Sequence, residues 1–75
     1  MSKFTKTYNT QPNELQKEAL TRAFKVIAQH ALNEENKDVE VRVNKFEKKV
    51  IATLIIDGDV YSSRIIGVNG GLTVV

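Results

Sequence analysis

Apolar and polar residues change rhythm along this chain, and each change marks an element. Leu15, Ala19, Leu20, Ala23, Phe24, Val26, Ile27, Ala28, Ala31 and Leu32 recur at steps of three and four, the spacing of an amphipathic helix. Val39, Val41 and Val43 then alternate with Glu40, Arg42 and Asn44, the period of two that belongs to a strand with one wet face. Val50 to Ile56 (VIATLII) carries no charge and sets apolar side chains on both faces of an extended backbone. That pattern predicts a central strand, paired on both sides and covered on both faces, and its β-branched residues favour the conformation. Asp57-Gly58 follows at once, a dipeptide that reverses a chain into a hairpin. Val60 to Val68 reads as the next strand, with Gly67 as a bulge. Asn69-Gly70 then predicts a second hairpin that returns through Leu72 to Val75.

The N-terminal residues carry a weaker version of the same signal. Phe4 to Tyr8 (FTKTY) puts Phe4, Lys6 and Tyr8 on one side of an extended segment, so residues 1–9 are an arm or an edge strand. Pro12 is tolerated in a first helical turn, where its missing N–H would have no partner. The helix is therefore predicted over 10–33, with Thr10 as N-cap, Asn13 as a rival start, and Glu14 against the positive end of the helix dipole. Its apolar arc spans roughly 200°, about twice the stripe a surface helix needs, although Gln16, Lys17 and His30 intrude on it. Such a helix calls for two neighbours. Asn33 to Lys37 is a polar, helix-ending linker.

These elements make one α+β domain over residues 1–75: a long N-terminal helix laid on a three- or four-stranded antiparallel β-meander spanning 38–75. Val39, Val41 and Val43, with one face of the central strand, should meet Leu20, Phe24 and Ile27. Ile51 and Ile55, with Tyr61 or Ile65 beside them, should lie on the opposite face.

Composition changes this picture in one respect. At 75 residues the chain can bury only about 60% of the surface it exposes unfolded, so it needs a staple or a partner. With no cysteine there is no disulfide framework and no thiolate metal site to serve as the staple, a single histidine argues against zinc, and no cofactor or metal is expected. Association is the remaining route. No apolar stretch suits a signal peptide or approaches the ~20 residues of a membrane span, which predicts a cytoplasmic protein without membrane contact. Net charge is +2, from eleven basic and nine acidic residues, short of the balance of a dedicated nucleic-acid binder. Brevity, lack of cysteine and a plain polar start resemble the small accessory proteins of phages and mobile elements in style, with no motif to carry the likeness.

Most groupings of chemically active residues have simpler explanations. His30 is the only side chain that titrates near neutrality, but it lies in the last turns of the helix, where the dipole favours imidazolium, with no nucleophile or carboxylate placed beside it. Asp57-Gly58-Asp59 is hairpin chemistry, Glu34-Glu35 solvated linker, and Gly67 to Gly71 lacks the lysine, hydroxyl and following helix of a phosphate loop. Lys45, Phe46, Lys48 and Lys49, with Arg42 on the strand before them, make the most suggestive cluster: a basic hairpin tip with an aromatic could follow a phosphate backbone and stack on a base. Glu47 interrupts it, and lysines also protect strand edges.

The expected function is that of a non-enzymatic interaction protein, a homodimer that binds and modulates or inhibits another protein. The alternative is a nucleic-acid-binding protein using the basic hairpin. The dimer surface is expected either on the helix, at Ala28, or on the sheet, at Ile51, Ile55, Tyr61 and Ile65.

Overall fold

Five strands and one helix carry the chain in the computed structural model, which describes residues 2–74. In order they are β1 (Phe4–Tyr8), α1 (Glu14–Asn33), β2 (Val39–Phe46), β3 (Lys49–Ile56), β4 (Asp59–Ile66) and β5 (Leu72–Val74). They form one sheet in the order β1-β2-β3-β4-β5, so VIATLII is the central strand. Strands β2 to β5 are an antiparallel meander, while β1 runs parallel to β2, with Phe4 opposite Val39 and Tyr8 opposite Val43. The helix is the crossover that a parallel pair requires. The N-terminal arm is thus an edge strand, and it precedes the helix.

The helix begins at Glu14, not Thr10. Asn13 is the N-cap: its side chain accepts from Gln16 N–H, and Gln16 Oε1 accepts from Asn13 N–H, both at 2.8 Å. This reciprocal pair is a capping box, and it explains why the rival start prevails, since Thr10 has no such partner three residues on. Asn13 Nδ2 also donates to the Val68 carbonyl (2.9 Å), and buried Gln16 donates Nε2 to the Ile66 carbonyl (3.3 Å). The helix start is therefore fastened to the end of β4. At the other end Asn36 takes a left-handed conformation (φ 55°), and Lys37 N–H reaches back to the Ala31 carbonyl (2.7 Å).

Leu20, Phe24, Ala28 and Ala31 of the helix pack on Val39, Val41, Val43, Val50, Ala52, Leu54 and Ile66, with Ile27 partly buried beside them. The two turns flanking β3 differ. Asp57-Gly58 reverses the chain with both residues at positive φ (51° and 84°), the two-residue turn whose twist matches the strands it joins. Glu47-Lys48 is equally short, so Phe46 and Lys49 are strand residues, and Glu47 sits at φ 55°, where a side chain is strained. The Asn69-Gly70 hairpin forms through a longer loop in which Gly70 takes the left-handed position (φ 86°). A Cβ on Gly70 would come within 3.1 Å of the Leu15 carbonyl, so glycine there serves both the turn and the close approach of the helix. The bulge lies not at Gly67 but in β4, where the register shifts between Leu54 and Ile55 and leaves Tyr61 unpaired.

Candidate interaction surfaces

The helix covers one face of the sheet, and strand alternation assigns the residues on the other. Glu40, Arg42, Asn44 and Phe46 of β2 lie there, beside Lys49, Ile51, Thr53 and Ile55 of β3, and Ser63 and Ile65 of β4. This face has two halves. Over β1 and β2 it is polar: Arg42 Nε and Nη2 donate to Glu40 Oε2 and Oε1 (3.0 and 3.2 Å), and the Thr7 hydroxyl donates to Glu40 Oε2 (2.8 Å). Hydrogen bonds from Arg42 and then Thr7 hold the Glu40 carboxyl below its ordinary pKa, because they favour the charged form, while its partial desolvation opposes them.

Over β3 and β4 the same face is apolar. Ile51 and Ile65 are direct cross-strand partners and both stay half-exposed, with Val60 open at 69%. Ile55 is on this face but only 4% exposed, with Glu40 and Val60 as its cross-strand neighbours and no second layer above it among the described residues. Between the isoleucines, the Ser63 hydroxyl donates to Thr53 Oγ1 (3.4 Å). Of the four sheet residues expected here, Ile51 and Ile65 therefore make an open patch and Ile55 its packed end. Tyr61, as the bulged residue, lines a shallow depression with Glu35, Lys37 and Ile56 beside the end of the helix.

Ala28, expected as the dimer surface on the helix, is 5% exposed and belongs to the core, so it is no open surface for a second copy. It lies on the flank of the helix that faces β1 and β2, beside Phe24 and Val41. The apolar residues the helix does leave open are Leu15 (51%) and Val26 (78%), which eleven residues of helical rise set about 16 Å apart. They form no continuous stripe.

The basic cluster is dispersed. Arg42 is bound to Glu40, about 13 Å of strand away from Phe46. Lys45 pairs with buried Val50 and so projects on the helix side, whereas Phe46 and Lys49, paired with each other, project on the bare side. Only Phe46, Lys48 and Lys49 remain together, all exposed. The bland readings of the other clusters agree with their geometry. Asp57 is in the turn, where its Oδ1 accepts from Asp38 N–H (2.8 Å). His30 departs from its reading in one respect: it is exposed and lies at the helix end as expected, but the linker folds back to set the Glu35 carboxylate 3.2 Å from Nε2, where no carboxylate was expected. Among the described residues no group of three or more His, Cys, Asp or Glu side chains could hold a metal ion.

One surface was missed by sequence reasoning. Between β1 and α1 runs a groove of about 360 Å³, floored by Leu20, Phe24, Ala28 and Val41 and edged by Phe4, Leu32, Lys6 and Lys25. The alternation of Phe4, Lys6 and Tyr8 was its only trace in the sequence, and which strand they would join was not written there. No helix among the described residues is long and apolar enough to cross a membrane. Comparison with protein-family models, with curated proteins and with solved structures finds no match for this chain.

Proposed function

We propose that the chain is a non-enzymatic protein-binding protein that works as a homodimer, two copies meeting through the apolar half of the bare sheet face. The observation that carries this reading is the Ile51–Ile65 pair, half-exposed in the middle of a face with no covering layer. A twofold contact suits it, because one self-complementary patch then serves both subunits. Two sheets packed about 10 Å apart would interdigitate the isoleucines and leave the Glu40–Arg42 pair at the rim, in water. Binding and modulating a further protein is the role we assign to the dimer's remaining surface.

Sedimentation equilibrium at micromolar concentration tests the dimer. Twice the 8.4 kDa chain mass is expected, with Ile51→Asp and Ile65→Asp together restoring the single-chain mass. A wild-type mass of 8.4 kDa refutes the reading.

A second reading rests on the β2–β3 tip. Pairing with β1 stops at Val43 and pairing with β4 at Val50, so Phe46 to Lys49 stand clear of both neighbours. An aromatic and two lysines on a projecting hairpin suit a single-stranded nucleic acid. Retention on an oligonucleotide at low salt, lost in Lys48→Glu with Lys49→Glu, would establish that role.

A further inference from the structure

The edge of the sheet opposite β5 is open. β1 is the last strand there, with no element beyond it among the described residues. Val39 N–H donates to the Lys3 carbonyl (2.9 Å) and Asn9 N–H to the Val43 carbonyl (2.8 Å), so the odd-numbered residues turn their backbone groups towards β2. Strand geometry then turns the N–H and C=O of Phe4, Lys6 and Tyr8 outward, a row of donors and acceptors ready for another strand. The side chains of these same residues share the helix face with Val39, Val41 and Val43, beside the groove. Its floor is apolar, its charged edge consists of Lys6 and Lys25, and no aspartate or glutamate lines it.

We propose that the β1 edge and this groove together bind an extended acidic segment of another protein. The segment adds to the sheet as a further strand. Its backbone pairs with Phe4, Lys6 and Tyr8, one of its apolar side chains enters the groove over Leu20 and Phe24, and carboxylates on either side of that anchor meet Lys6 and Lys25. Charge selects this occupant over a second copy of β1. An antiparallel pair of FTKTY strands centred on Lys6 sets Lys6 against its own copy, a destabilising cross-strand contact, and offers no carboxylate to Lys25. The site does not depend on the dimer proposed above, which uses the other face.

The test uses the full chain, labelled with ¹⁵N, and a short acetylated and amidated peptide in which threonine alternates with glutamate, leucine and glutamate. A matched peptide carries lysine for glutamate. Saturable binding of the acidic peptide is expected, with amide exchange at Phe4, Lys6 and Tyr8 slowed about tenfold or more as the edge becomes paired. Lys6→Glu with Lys25→Glu, both exposed sites, should weaken the acidic peptide about tenfold or more and reverse the preference between the two peptides. No binding at millimolar peptide, equal binding of both peptides, or binding without protection of the β1 amides overturns the proposal. Sedimentation of the same variant keeps the two readings apart, because the charge reversal should leave the oligomeric state unchanged.

Discussion

The two faces of the sheet use the same strands and obey different rules. On the covered face Val39, Val41, Val43, Val50, Ala52, Leu54 and Ile66 are all at most 5% exposed, packed under the helix. On the bare face the same strands present Glu40, Arg42, Asn44, Thr53 and Ser63 around a short apolar patch. β2 keeps the faces apart cleanly, because its alternate residues are valine and polar. β3 does not, since it is apolar on both. Ile55 explains part of this: on the middle strand of the sheet it is only 4% exposed with no second layer above it among the described residues. Apolar residues on both faces of a central strand therefore do not by themselves require two covering layers. Ile51 and Ile65, which stay half-open, are the residues for which a second layer still has to be found.

The largest expected effect separates the faces directly. Leu54→Ala, at a position with no exposed surface, should cost about 2–5 kcal/mol through lost burial and the cavity left behind. Ile51→Ala, three residues earlier on the other face, should cost about 1 kcal/mol in the isolated chain, since only part of its surface leaves water on folding. Urea unfolding at two protein concentrations measures both. If the bare face is covered by a second copy, the Ile51 cost grows with concentration while the Leu54 cost gains nothing specific from it. Equal costs for the two substitutions at low concentration would mean that the faces are not distinct.

What was legible in the sequence follows this division. The helix and strands β2 to β4 announce themselves because burial on one side enforces a period, and Asp57-Gly58 because both residues of its turn need positive φ. The pairing of β1 was not legible: five alternating residues state which side is apolar, but not that a crossover helix would return the chain parallel to them. The lysine-rich hairpin tip was legible but its bounds were not: Phe46 and Lys49 are strand residues, and Glu47 at positive φ could not mark the two-residue turn, as glutamate carries no preference for that conformation. The width of the helical arc misled. Gln16 counted as an intrusion, yet it is buried with its polar atoms partnered, and Ala28 counted as a candidate dimer surface, yet it faces the core.

Gln16 offers the next test, because it is the one polar side chain in the described core. The covered face accepts it only with its amide engaged at both ends, by Asn13 N–H and by the Ile66 carbonyl. Gln16→Leu fits the apolar surroundings but strips both backbone groups of their partner. A loss of about 1–3 kcal/mol is expected in thermal or urea unfolding, smaller than that for Leu54→Ala. A neutral or stabilising outcome would show that the capping box and the Ile66 contact add little to the packing around them.

The smallest effect belongs to the polar half of the bare face, where charge replaces burial as the organising force. Arg42 and Thr7 both donate to Glu40 and lower its pKa, so the folded chain holds the carboxylate more firmly than the unfolded chain does. The sign follows from linkage. A depressed folded pKa gives a stabilisation that is present above the unfolded pKa and is lost as pH falls through the folded one. With the pair lying in solvent, that contribution is small, and the titration itself is the better observable. The Glu40 side-chain carboxyl, followed by NMR, should titrate below the ordinary glutamate value. Arg42→Ala should raise it most, since the arginine is the larger cause, and Thr7→Val should raise it less. If Glu40 titrates at the ordinary glutamate value in the wild type, the Thr7–Glu40–Arg42 network does not persist in solution. The polar half of the face would then be held by its backbone pairing alone.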